Sequence, residues 1–411
     1  MRFSFRSVSA VAVCALAACA LVDYALSYRY GIGHSASIVH AAGQASSSKV
    51  NVLPGMPPVL DPNNVYSADG PGMISPVAAH FPARIYVPNS KSDTVDIIDP
   101  ATYKIIGHFA LPKDPRHPQH ALEPQHVVPS WDLKKLWVAQ DLGDQLTMID
   151  PATGKEGETV HVDDPYNMYY TPDGKYAIVM AERERRIDFR DAQTMKVINR
   201  VPVGCAGVNH ADFSVDGRYM IATCEFSSEL IKVDVATQKV LGHLPLTPKG
   251  MPQDCRISPD GKVFYVANMD SGGVHVIDGD SFKQIAFIKT GSGAHGLYFS
   301  RDGKYMYVSN RGPSDISKRV PGDGSVSLVD MKTRKVVANW PIPGGGSPDM
   351  GGVSADGKTL WLSGRYDSEV YAFDTSNGKL RARIKVGHGP HGLCVYPQPG
   401  RYSLGHTGNM R

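Results

Sequence analysis

The chain has 411 residues, of which 42% are hydrophobic and 20% charged, with a formal net charge of +3. That places it among ordinary globular proteins, and near neutrality gives no electrostatic case for nucleic acid. Glycine (41) and proline (30) are plentiful, which suits a fold with many tight turns.

In chain order, residues 1–23 read as an export signal. Arg2 and Arg6 supply a positive start, and an uncharged apolar run follows from Val8 to Val22. That run is short for a membrane span, which needs about 20 residues. Leu16-Ala17-Ala18-Cys19 matches a bacterial lipobox, with Cys19 as the acylated residue. A lipoprotein, a cleaved soluble form and an uncleaved anchor all stay open. Each predicts the periplasm or cell envelope, with membrane contact only through an N-terminal lipid or anchor. Export also permits disulfides. Cys205 precedes one predicted strand and Cys224 ends the next, so a bridge between them is geometrically feasible. Cys255 and Cys394 read as buried thiols.

Residues 24–80 carry Gly, Ser and Pro clusters without strong periodicity and read as a linker followed by an extended segment. A repeat fills 81–411. Its mark is a turn, as in Thr171-Pro172-Asp173-Gly174, Ser214-Val215-Asp216-Gly217 and Ser258-Pro259-Asp260-Gly261. Full or degenerate copies fall at 132, 173, 216, 260, 302, 356 and 398, a period near 42. An apolar strand follows each turn, then a strand ending in Asp, then a polar turn and another strand. Four short strands per repeat, seven times over, predict an all-β, seven-bladed β-propeller. The chain enters on a second strand at Arg84 and ends with a lone first strand, Gly392 to Tyr396. These would share one blade and close the ring, removing exposed sheet edges.

The segments Tyr86-Val87-Pro88-Asn89, Tyr265-Val266-Ala267-Asn268 and Tyr307-Val308-Ser309-Asn310 resemble the YVTN-repeat family of bacterial β-propellers, over about residues 84–400. The resemblance implies the fold. For function it implies only a range, from binding proteins and accessory subunits to enzymes, and central metal sites occur in related seven-bladed proteins.

Topology picks a working face. The tight Asp-Gly turns crowd one face. The other receives the starts of the inner strands and two insertions, 112–124 and 311–324, which are candidate docking loops for a protein partner. The inner-strand starts contain His126, Asn167, His210, Asp254, His295, Asp349 and His391. Imidazole and carboxylate converging from several blades predict a transition metal (Cu, Zn, Fe or Mn) at the funnel mouth, with His126, His210, His295, His391, Asp254 and Asp349 as ligands. A polar channel satisfied by amides and water is the competing expectation.

The spacing contains a mismatch. His126, Asn167, His210 and Asp254 lie six residues before their turn Asp, or its counterpart, whereas His295, Asp349 and His391 lie seven before. Since neighbouring strand residues point to opposite sides, either bulges restore the register or the two sets face different ways. Asn167, Arg311, Arg365 and His388 are further ligand-binding candidates, the arginines for an anionic ligand. His117 and His120 lie in the first insertion. Glu182 to Arg186 alternates in sign and reads as a solvated loop. No phosphate-binding loop, catalytic triad or haem-attachment motif stands out. The expectation is an exported propeller that binds a ligand in a binding or accessory role. A metal-dependent enzyme and a metal-free interaction scaffold are the alternatives.

Overall fold

A computed structural model describes residues 50–113, 115, 118–313 and 323–411. The export signal, Cys14, Cys19 and His117 lie outside these residues, as does 314–322 of the second insertion. The described residues form seven four-stranded antiparallel sheets, so the chain is a seven-bladed β-propeller. No helix among them is long and apolar enough to cross a membrane.

Burial follows position within the blade. The inner strands, such as Pro124–Pro129 and Val208–Phe213, are buried throughout. The outermost strands alternate or lie open, as in Lys239–Pro245. Apolar clusters form between neighbouring blades. Leu360, Leu362 and Phe373 pack on Tyr298, Tyr307 and Val326 of the preceding blade. Each such side chain contributes about 1.5–3 kcal/mol by leaving water. The ring closes as its ends suggested. Cys394–Tyr396 pairs antiparallel with Arg84–Asn89, with Arg84 opposite Tyr396 and Tyr86 opposite Cys394.

The repeated turn is held by its own side chains. In Ser214–Gly217 the serine hydroxyl donates to Asp216 Oδ1 at 2.6 Å, and Gly217 takes a φ of +70°, which only glycine adopts without strain. The segment from residue 50 to 80 strings several of these turns together. Leu53, Val65 and Gly72 donate their backbone N–H groups to the carbonyls of Asp216, Pro259 and Ala355. An ion pair between Asp69 and Arg301 adds to this attachment.

Cys205 and Cys224 are joined, while Cys255 and Cys394 are buried thiols. The bridge closes a loop with a sequence separation of 19. A loop of that size restricts the unfolded chain by about 3 kcal/mol in the chain-entropy account. The Cys205→Ser/Cys224→Ser double variant should lose about that much stability in denaturant unfolding. An unchanged midpoint would mean that the bridge does not constrain the unfolded chain.

Candidate functional site

The heads of the inner strands explain the spacing mismatch. Val208 pairs with Cys224 and Ala211 with Ala222, so two residues, Asn209 and His210, oppose one. The same β-bulge recurs at Gln253 and Asp254, at His295 and Gly296, and at Asp349 and Met350. It recurs again beside His126 and Asn167. In the closing blade Pro390 opposes Asn89 and Cys394 opposes Tyr86, which is again one residue too many. An extra residue re-aims its neighbours. Both bulge positions therefore turn towards the channel, at two depths.

The first bulge position forms an upper tier that faces an open funnel of about 350 Å³. Gln125, Tyr166, Gln253, His295 and His391 line it. The second position forms a lower tier of His126, Asn167, His210 and Asp254, beneath that lining. The tiers touch: the rings of His126 and His391 are 4.9 Å apart. Gly392 makes room there, because a Cβ on it would lie 2.1 Å from His126 Cδ2.

His406 completes the lower tier, and the sequence reading passed over it. The segment after the last strand folds under the channel. Tyr170 donates its N–H to Leu404 O, and His406 donates its N–H to Met168 O. Gly405, at φ +97°, has no space for a Cβ, which would meet Met168 O at 2.5 Å. The only hint in sequence is the glycine-flanked Gly405-His406-Thr407-Gly408.

The predicted ligands thus divide into two groups. In the lower group, ring nitrogens of His126, His210 and His406 lie within 4.8 Å of one another. His126 Nδ1 donates to Tyr166 O at 2.9 Å. Asn167 Nδ2 donates to His210 Nδ1 at 3.2 Å and to His406 Nδ1 at 2.9 Å, while its Oδ1 accepts from Met168 N–H. None of the three Nε2 atoms has a hydrogen-bond partner among the described residues, and neither does Asp254 Oδ1. The last lies 3.6 Å from His406 Nε2. Burial lowers His126 to about 3 and holds His210 and His406 well below their ordinary value, so all three are neutral imidazoles. Burial raises Asp254, against the pull of Arg256.

The upper group has a different character. Asp349 Oδ1 lies 3.0 Å from His295 Nδ1 and accepts a 2.7 Å hydrogen bond from Arg311 Nε. His391 Nε2 stands 3.5 Å from Asp349 Oδ2 and 3.3 Å from Arg311 Nη2. Burial alone would raise Asp349, but Arg311, His295 and His391 outweigh it and hold the carboxyl well below its ordinary range. Arg311 serves only Oδ1 of this carboxylate, and ligand atoms of His295, Asp349 and His391 also lie within 4.8 Å of one another.

The remaining candidates line the funnel. Arg311 is buried, Arg365 lies beside Ser90 and Gly389, and the exposed His388 pairs its Nδ1 with Ser368 Oγ at 3.2 Å. Glu182 corrects the expectation of a solvated loop. It is 8% exposed and turns into the funnel, facing Glu225, which is 7% exposed. Asn209 Nδ2 bridges them, at 3.4 Å and 2.8 Å respectively. Burial and mutual repulsion raise Glu182 well above its ordinary value, and burial raises Glu225 to about 7.

The fold and site define a seven-bladed propeller with a histidine-rich channel under a charged funnel. More particularly, the chain belongs to the YNCE-like beta-propeller family, which matches residues 54–400. A comparison with curated proteins finds no match. Among solved structures it is similar to hydrazine synthase of Kuenenia stuttgartiensis, at 22% identity over 67% of this chain and 90% of that one (TM-score 0.57). The dihydro-heme d1 dehydrogenase NirN, solved in complex with DHE, is similar at 17% identity over 77% and 76% of the two chains (TM-score 0.57). A functionally unknown protein from Desulfotomaculum acetoxidans is similar at 15% identity over 76% and 98% (TM-score 0.58). At these identities the likeness shows the fold alone.

Glu225 yields a pH prediction. Its value near 7 lies above the ordinary 4.5. Its proton therefore stabilises the fold fully below the unfolded value, and that contribution is lost as pH rises through about 7. The stability of the wild type relative to Glu225→Gln should fall by up to about 1.4 kcal/mol per pH unit between about pH 5 and pH 7. Urea unfolding across that range checks this. A pH-independent difference would show that Glu225 is ionised throughout.

Proposed function

We propose that this propeller binds one transition-metal ion (Cu, Zn, Fe or Mn) in its lower tier, through Nε2 of His126, His210 and His406 and Oδ1 of Asp254, and serves as a binding or accessory protein of the cell envelope. The observation that carries this reading is the convergence of four buried polar atoms without partners. Leaving a buried donor or acceptor unsatisfied costs about 1–3 kcal/mol each, and native interiors rarely tolerate it. Three neutral imidazoles and a carboxylate form a donor set suited to these metals. The Cys205–Cys224 bridge supports an oxidising compartment.

Asn167 sets the condition for binding. With its amide nitrogen towards His210 and His406, their Nδ1 atoms accept, and each ring carries its proton on Nε2. Turning the amide presents Oδ1 instead, so that both Nδ1–H groups donate and both Nε2 lone pairs become free. The hydrogen bond from Met168 N–H is given up in exchange. Such outer partners commonly fix the tautomer of ligating histidines. Without a metal, one water would suit the present tautomers, accepting from His210 and His406 and donating to His126 and Asp254.

Elemental mass spectrometry of the exported protein, before and after incubation with each metal, tests the reading. About one equivalent should be bound, lost in His406→Ala and kept in His295→Ala. A protein that takes up none of the four metals, or a His406→Ala variant that keeps its metal, would overturn it.

A further inference from the structure

The funnel above the lower tier has segregated charges. On one wall stand Arg311 and Arg365. Asp349 neutralises Arg311. Arg365 has no carboxylate at ion-pair distance among the described residues; its guanidinium donates only to Ser90 Oγ and to Gly389 O. Burial pulls Arg365 below its ordinary value, against the attraction of the more distant Asp349. On the other wall Glu182 and Glu225 share the Asn209 amide, Gln253 also reaches Glu225, and neither glutamate has a lysine or arginine at ion-pair distance among the described residues. Tyr166 lines the same funnel, within electrostatic reach of both glutamates and both arginines.

Two further features point to a ligand. Gln125 Oε1 and Gln253 Oε1 have no hydrogen-bond partner among the described residues, although both side chains are buried and line the funnel. Buried amide oxygens without partners next to an open cavity are groups poised to bind something. Cys224 of the disulfide directly precedes Glu225 in the chain. A cavity of about 350 Å³ falls within the range of small-molecule sites.

A simple anion would satisfy Arg365 and leave the glutamate pair facing itself. A simple amine would do the reverse. We infer that the funnel binds a small zwitterion of the amino-acid class, its carboxylate on Arg365, its ammonium between Glu182 and Glu225, and its polar flank on Gln125 and Gln253. This site lies above the proposed metal and does not require it.

Isothermal titration of the full protein, with and without chelator treatment, tests the inference. The probes are the twenty amino acids, β-alanine and 4-aminobutyrate, with propionate and propylamine as one-ended controls. At least one zwitterion should bind at least tenfold more tightly than either control, in both preparations. Arg365→Gln and Glu225→Gln should each weaken it at least tenfold while leaving metal content unchanged. Propionate binding as tightly as the best zwitterion, no binding by any probe, or indifference to both substitutions would overturn the inference. Failure here with metal still bound leaves the lower-tier reading intact, and binding that persists in a metal-free protein separates the two in the other direction.

Discussion

The centre of this ring depends on a β-bulge at the head of each inner strand. In a regular strand, neighbouring side chains point to opposite sides, so each blade would offer the channel one residue and the adjoining blades the next. The bulge turns two consecutive residues inward. Seven blades then supply two stacked tiers. Asn209 meets Glu225 in the upper tier while His210, the next residue, meets Asn167 in the lower.

Stacking separates two kinds of electrostatics. The upper tier is open and ion-paired, with Asp349 held between Arg311 and His295. The lower tier is sealed from below by the C-terminal segment, whose own charge is balanced where Arg411 meets Asp212. Burial there keeps the imidazoles neutral, and their Nε2 atoms meet no partner among the described residues. The position of one amide, Asn167, decides which ring nitrogens of His210 and His406 carry hydrogen, while Tyr166 O sets that of His126.

Much of this was legible in the sequence. Seven turns near a period of 42 predicted seven blades, because the full copies are local structures whose Ser or Thr, aspartate and glycine act together. The shared closing blade was legible from the strand order at the two ends. The polar strand heads were legible as a channel lining, and the one-residue offset was visible as a conflict. Its resolution was not, because a bulge depends on pairing with the next strand and leaves no fixed spacing of its own. His406 was hidden because it lies beyond the last repeat and has no counterpart in the other blades. Glu182 was misread because the neighbouring charges, Arg183 to Arg186, disguise a side chain that the second-strand end turns inward.

The most direct test of the lower-tier site is anomalous diffraction from crystals soaked with zinc or copper and measured at the metal edge. One peak should lie about 2.0–2.1 Å from Nε2 of His126, His210 and His406, with Asn167 turned so that its oxygen faces the rings. Density at ordinary hydrogen-bond distances of about 2.7–3.2 Å without anomalous signal, or a metal bound instead at His295 and His391, would contradict the account.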